Sequence, residues 1–483
     1  MEEKKLGLPS VIATSVGLIV ATSCLLSLGQ GAGALGTAFV IPMAIACFIN
    51  ICTALSMAEL NAIMPNLTGG LAQYALAGFG PFVTIVTMVG GYLVCQAIAG
   101  SVECAMFGNA INTVFNTGIP SSVFCILLLI FLIIANLMGV DMFAKIQNVV
   151  AYGLIGSLII MGLIGIFGLG TGETVSQTMN LAGSFSETLG LLGLAFFLFI
   201  GCEFVIPIAS DVKNARRNIP LGMVLSLLII LVMQILVVCG MGRYVSWDVL
   251  GESASPHIVY GQALLGTLGS LWMILVSMFA VVSTVNSCIN FLSFMCAGMA
   301  KIDLLPSFFM KRNSRGAYYP GILMIGGIMI IVNATGLSSS DSLSFMILVA
   351  VVFWMVCYVI SNINVLIFRV KMPKVPRTFK VPLGPVIPII GMLGSIFMIW
   401  NIDSDPATRA TIFTIDGIIF VLLAVYAALW IRLRMKVPMF KPVPVHEVMA
   451  TENELYQVIR QREREKVKEE RRAARGGAKT EKA

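Results

Sequence analysis

Charge is scarce in this chain. Of 483 residues, 11% are Asp, Glu, Lys or Arg and 58% are hydrophobic. A soluble protein of this length could not cover its core with so few charges. Histidine is almost missing: His257 and His446 are the two copies, and neither has a partner at ligand spacing, so nothing in the sequence supports a metal site or another cofactor. No GxxxxGK[ST] phosphate loop occurs, which argues against a primary pump. No Ser/His or metal constellation lies in the apolar segments, which argues against an enzyme. All 11 cysteines fall inside apolar runs, so they read as small membrane residues and a loop disulfide framework is not expected.

The apolar residues come in long runs. A helix needs about 20 of them to cross a bilayer, and such runs recur from Leu8 to Leu433, centred near residues 20, 50, 95, 130, 157, 200, 231, 282, 327, 355, 391 and 422. They are too long for barrel strands and do not alternate, so the sequence predicts an all-α membrane protein with twelve transmembrane helices. The first run lacks a cleavage site followed by a polar mature domain, which argues against a signal peptide. Twelve crossings put both termini on one side. Of the 31 Lys and Arg residues, only Arg243 and Arg409 fall on the other side, and the positive-inside rule makes the basic side cytoplasmic. The net charge of +7 therefore reports topology, and gives no argument for nucleic acid as a partner. Lipid is the expected surroundings.

Residues 1–436 read as one membrane domain and 437–483 as a cytoplasmic tail. The tail opens on a Pro-rich linker, Pro438 to Pro444, and continues as the charged segment QVIRQREREKVKEERRAARGG, a solvated or membrane-surface helix by its acid–base spacing. The loop from Gly242 to Gln262 is polar, holds His257, and predicts a short helix after Pro256. Asn66-Leu67-Thr68 fits a glycosylation sequon, but on the cytoplasmic side.

Two runs carry interruptions. The first, SVGLIVATSCLLSLGQGAG, has Ala21, Thr22, Ser23 and Cys24 at its middle; the sixth, AFFLFIGCEFVIPIASD, has Gly201 and Pro207 around Glu203. Corresponding breaks in two halves point to a transporter binding site, because unwinding frees backbone N–H and C=O groups at the membrane midplane. Taken singly, each break also fits helix-packing glycine or a proline kink. Glu59, Glu103 and Glu203 are read as the carboxylates within the runs, with no Lys or Arg among them. A buried carboxylate is costly unless paired, hydrated or protonated. Glu203, at the sixth-run break, is the candidate proton-coupling group, against the alternative of a carboxyl bonded to neighbouring backbone. Glu103 shares a helix face with Gln96 and Ala99. That face is read either as pathway lining, with Glu103 attracting a cation, or as a surface near the outer water boundary. Glu59 is expected to pair with an inner-loop base.

Four stretches together resemble the amino acid–polyamine–organocation superfamily of amino acid permeases: AELNAIMPNLTGGLAQYALAGFGPF (58–82), FIGCEFVIPIASDVKNARRNIP (199–220), CAGMAKIDLLPSFF (296–309) and PRTFKVPLGPVIP (376–388). The resemblance covers roughly residues 5 to 435. It implies a five-plus-five inverted-repeat (LeuT-like) fold with broken helices 1 and 6, two added helices, and alternating access. It also implies a secondary transporter, permease or exchanger, in a bacterial-type cytoplasmic membrane. The cargo would be an amino acid, cationic by the two core carboxylates, or else an amine or polyamine; a non-transporting amino acid sensor is the rival reading. Carried over by motif, backbone amides of Thr22 and Ser23 hold a cargo carboxylate. Carbonyls of Ile19, Phe197 and Ile200 hold the amine, Phe197 gates, and Cys95, Ala99 and Cys288 contact cargo. Ala21, Cys24, Gln96 and Gly201 complete the expected site. A sodium site, in relatives that have one, would take the hydroxyls of Ser283 and Thr284. Some proton-coupled relatives place a fifth-span lysine there; here Leu154 takes the approximate position. The family's first-span Gly-Ser-Gly is Ala21-Thr22-Ser23, and its gating Trp is Phe197. These departures leave the class intact and the cargo undecided.

Overall fold

The computed structural model describes residues 5–115, 118–177, 185–253, 255–335, 343–375, 377–403, 405–453, 456–457 and 459. Apart from one isolated bridge between Leu6 and Val212, every regular element in these segments is helical. Seven helices are long and apolar enough to cross a membrane, and five shorter apolar helices accompany them. With no water to satisfy backbone groups in a bilayer, closed helices are the expected solution. Large apolar side chains such as Leu127, Phe131, Ile134, Val421, Leu422 and Leu429 point outward, as a lipid-facing surface requires. The chain is a multi-pass, all-helical membrane protein.

The helices that matter here are α1 (Leu8–Ile19), α2 (Thr22–Leu35), α3 (Val40–Ile63), α4 (Leu71–Phe79), α5 (Cys95–Phe115), α6 (Ser121–Leu137), α7 (Val140–Phe167), α8 (Leu192–Phe197), α9 (Ala215–Tyr244), α10 (Pro256–Lys301), α11 (Tyr319–Ala334), α12 (Leu343–Lys371), α13 (Val386–Trp400) and α14 (Pro406–Trp430). The first apolar run is split into α1 and α2. Val20 leaves the helical region at ψ 77° and Ala21 is extended at ψ 165°, so the helix stops and restarts within two residues. The sixth run ends its α-helix at Phe197 and continues as turns and a 3₁₀ segment, Cys202–Val205. Gly201 has φ +118°, a region in which any Cβ is strained. A wide π-helical stretch, Ile85–Val94, precedes α5; such stretches frequently mark functional sites. The long helix α10 bends at Leu265 and Gly266, and its short arm holds His257. That histidine is buried, with Nε2 2.5 Å from Ser277 Oγ. It belongs to the packed structure rather than to a polar loop.

The four family-like stretches meet at one end of the bundle. Glu59 on α3 takes Arg369 Nε at 3.0 Å, Arg377 Nε at 3.3 Å and the Val381 amide at 2.8 Å. The backbones of Gly69 and Gly298 pack directly on one another. The chain after α14 returns to the same end: the Phe440 ring packs tilted against Phe82 with centroids 5.0 Å apart, and the Val443 amide donates to Leu76 O at 3.2 Å. Glu452 then joins Lys301, the Thr68 amide (2.9 Å) and the Thr68 hydroxyl (2.7 Å). Of the charged segment 457–477, only Gln457 and Ile459 fall within the described residues.

Candidate functional site

The two breaks face each other across a small cavity enclosing about 40 Å³, room for roughly three water molecules. Ile19, Ala21, Ser23 and Cys24 line it from the first break, Phe197 and Ile200 from the sixth, Gln96, Ala99, Gly100 and Glu103 from α5, Thr284 and Cys288 from α10, and Ile347, Ala350, Val351 and Trp354 from α12. Thr22, Gly201, Glu203 and Ser283 adjoin it without lining it. The side chain of Cys95 lies outside the described residues. The α12 wall has no counterpart in the sequence reading, because four residues on an apolar span, three of them aliphatic, carry no mark of function. A second cavity, of about 520 Å³, opens at the basic end among Lys5, Asn61, Arg216 and Arg217, a lining that repels cations.

Glu103 is the one charged residue among the described residues lining the central cavity. Its carboxylate spans the N-terminus of α2: Oε2 accepts from the Thr22 amide at 3.1 Å and Oε1 from the Ser23 amide at 3.2 Å. The first N–H groups of a helix have no partner within it and lie at the positive end of its dipole, so an anion is favoured there. Glu103 therefore supplies from α5 the acceptors that Ala21, as N-cap, does not. The Thr22 hydroxyl donates instead to Ser277 O at 3.2 Å, and Cys24 Sγ donates to Ile19 O at 2.8 Å. Gln96 stands two turns before Glu103 on the same face, buried, with its amide nitrogen unpaired.

Glu203 is enclosed. Tyr92 Oη donates to it at 2.9 Å, Trp354 Nε1 at 2.7 Å and Tyr358 Oη at 2.7 Å, while Tyr358 Oη accepts from the Gly201 amide at 3.1 Å. The partners are aromatic side chains from the π-helical stretch and α12, where the sequence suggested nearby backbone. Trp354 joins the two groups of residues, with its ring on the cavity and its N–H on Glu203.

Below the first break, Gln147 of α7 fills the space between α1 and α10. Its Nε2 donates to Ala13 O at 3.2 Å and to Ser283 Oγ at 2.7 Å, and its Oε1 accepts from Asn286 at 3.3 Å. A Cβ on Gly17 would come within 1.4 Å of that nitrogen, so glycine is what lets the amide in. Thr284 Oγ1 donates to Gly17 O at 3.1 Å. The fifth-run side chain that meets Ser283 is thus Gln147, about two turns before the expected Leu154. The sequence reading also missed a carboxylate: Asp416 of α14 is buried, and neither oxygen has a protein hydrogen-bond partner. It sits in an apolar helix away from both breaks, and no motif flags it.

A multi-pass bundle with two interrupted helices around a buried site defines a membrane transporter fold. The manganese transporter of Eremococcus coleocola is similar to this chain, with a TM-score of 0.55 over 88% of this chain and 94% of its own, at 17% identity; the likeness shows the fold alone. Among the described residues no group of three His, Cys, Asp or Glu could hold a metal ion. The family model described as "Amino acid permease" matches residues 6–427, so the chain belongs to the amino acid permease family, a family of transporters and not enzymes. Asc-type amino acid transporter 1 of Homo sapiens is 24% identical over 398 residues, spanning 79% of this chain and 74% of its own. An uncharacterized protein of Methanocaldococcus jannaschii is 22% identical over 359 residues, spanning 72% and 81%.

Proposed function

We propose that the chain is a secondary transporter that moves an amino acid or a closely related amine across the cytoplasmic membrane by alternating access. The observation that carries this reading is the buried cavity between the two breaks, with Glu103 as the single charge among its described lining residues. A carboxylate in such a low-dielectric site attracts an ammonium far more strongly than it would in water. The accompanying topology is twelve crossings built as a five-plus-five inverted repeat with two added helices, both termini and the 437–483 tail being cytoplasmic. The basic clusters at one end support that orientation. Coupling is sodium-independent, because the Gln147 amide already bridges Ala13 O and Ser283 Oγ. It is pH-dependent through Glu203, whose link to the cavity is Trp354.

Purified protein in proteoliposomes, loaded with an unlabelled amino acid or amine and presented with the labelled compound, tests the reading. Saturable uptake accelerated by internal cargo is the expected result. Binding without counterflow would make the chain a sensor, and non-saturable flux would make it a channel.

A further inference from the structure

Within the carrier reading, we propose that Glu103 is the specificity-determining residue and selects a small primary monoamine with an apolar body over the corresponding α-amino acid. A zwitterionic amino acid brings its own carboxylate, which needs N–H donors. The two amides at the start of α2 are the donors that the first break offers, and both are already held by Glu103, one by each oxygen, at 3.1 and 3.2 Å. A cargo carboxylate placed there would have to displace an internal carboxylate tethered to α5. Placed beside it, the cargo would meet a like charge in a medium that screens poorly. An amine has neither difficulty. An ionised carboxylate offers about four acceptor positions; two meet the amides, the Ser23 hydroxyl lies against another, and what is left faces the cavity for an ammonium.

The remainder of the cavity narrows the class further. Ile19, Ala99, Phe197, Ile347 and Val351 are apolar, and no second acidic residue is among the described residues lining it. A diamine would bury its second ammonium without a partner, which is costly. The cavity is small, about 40 Å³, so a short aliphatic chain would displace fewer wall side chains than an aromatic one. The buried Gln96 amide, with its nitrogen unpaired, lies on the same helix face as Glu103. It provides polar contact without charge.

The test is binding to the full-length protein in lipid nanodiscs, measured calorimetrically for isobutylamine against valine, isoamylamine against leucine, and putrescine as the diamine. Counterflow is measured in parallel. Wild type should bind each monoamine at least tenfold more tightly than its amino acid, and more tightly than putrescine. Glu103→Gln should weaken the monoamines tenfold or more while leaving the amino acids unchanged or improved. Glu103→Ala, which frees both amides, should reverse the order and favour valine over isobutylamine. Ligand-free melting curves establish that each variant is folded; if Glu103→Ala is not, the wild-type ratio and Glu103→Gln decide the matter. Valine binding wild type as tightly as isobutylamine, or both ligands weakening equally in Glu103→Gln, overturns the selectivity and leaves the carrier intact so long as counterflow persists. Failure of every amine and amino acid to bind or exchange overturns both.

Discussion

The break in the first run exposes backbone donors and meets them with a carboxylate from another helix, whereas the break in the sixth carries its own carboxylate and meets it with side-chain donors from two others. Glu103 rests on two amides of one helix, and its carboxylate faces the cavity. Glu203 is closed in by Tyr92, Trp354 and Tyr358 and does not line the cavity. A two-point contact open to a cavity leaves the carboxylate able to meet cargo as well. A three-point cage with no opening is a joint: it ties the broken sixth segment to the π-helical stretch and to α12. Trp354 belongs to both regions, so whatever moves its ring in the cavity also pulls on Glu203.

The joint can be broken most severely at Glu203 itself. Glu203→Ala leaves the Trp354 N–H and two tyrosine hydroxyls without their acceptor, and each unsatisfied buried donor costs about 1–3 kcal/mol. Recovery of monodisperse protein should collapse, with uptake below roughly a tenth of wild type for whatever survives. Glu203→Gln keeps the shape and one acceptor oxygen, so it should fold and transport with a flattened pH profile. Tyr92 and Tyr358 are the titratable groups bonded to it, with Cys202 and Cys357 alongside. An unchanged profile in Glu203→Gln would leave Glu203 a structural joint and nothing more.

The first break should yield a smaller loss. Ser23 is the second residue of α2, in the first turn where proline is tolerated, so Ser23→Pro removes its amide and its hydroxyl from Glu103 without ending the helix, and Ser23→Ala removes the hydroxyl alone. Loss of the amide's charge-assisted hydrogen bond, about 1.5 kcal/mol, should make amine binding about tenfold weaker in Ser23→Pro than in Ser23→Ala by calorimetry. Thr22→Ala keeps its amide and loses only the hydroxyl bond to Ser277 O, so affinity should stay within about twofold. Equal losses in Ser23→Pro and Ser23→Ala would mean that the side chains, and not the amides, position Glu103.

The same contrast explains what could be read from sequence. Three of the stretches that resemble the family, around Glu59 and Gly69, Lys301, and Arg377, interlock at the basic end. They specify a shared scaffold, so they announce the class without naming the cargo. Helices followed from apolar runs because a bilayer imposes one solution. The breaks followed from small residues and glycine at mid-run. The pairing of Glu103 with Thr22 and Ser23 spans about 80 positions, and nothing local in either segment encodes it. The α12 wall was invisible because Ile347, Ala350 and Val351 look like lipid-facing residues until their neighbours are known. Gln147 was passed over because an amide near a span end reads as ordinary, and its role depends on the absence of a side chain at Gly17.

At the interlocked end, the tail contact offers a smaller and pH-dependent effect. Burial alone would raise the Glu452 carboxyl, but the Lys301 charge and hydrogen bonds from Lys301 and Thr68 outweigh it and hold the group below its ordinary value of 4.5. A carboxyl depressed in the folded state stabilises it above the unfolded pKa, and that stability is lost as pH falls through the folded value. The clasp should therefore be fully formed at neutral pH and loosen only in acid. Glu452→Gln removes a partly buried ion pair worth about 1 kcal/mol. Trypsin cleavage at the exposed Lys436–Val437 bond at pH 7 should then be about fivefold faster than in wild type, with cargo affinity unaltered. An unchanged cleavage rate would show that the Val443–Leu76 and Phe440–Phe82 contacts hold the tail without Glu452.

The smallest expected effect is an absence of effect, and it bears on the first break from below. A sodium ion bound between α1 and α10 would need oxygen ligands from both, and Ser283 and the α1 carbonyls are the available ones. Gln147 presents an N–H₂ group to two of them, Ala13 O and Ser283 Oγ, and its own oxygen is occupied by Asn286. The amide makes with neutral hydrogens the contacts that a cation would make with charge, and the close fit at Gly17 leaves it no room to share. Uptake with choline in place of sodium should therefore stay within about twofold of the sodium value, a difference of less than half a kcal/mol. Gln147→Ala, which vacates the position and takes the amide away from Ser283 Oγ and Ala13 O, is the variant in which a sodium response should arise if the oxygens alone suffice to bind it. Strict sodium dependence in wild type would mean that the Gln147 side chain swings away from Ser283 during the transport cycle, and the lower end of the first break would then be as exchangeable as its upper one.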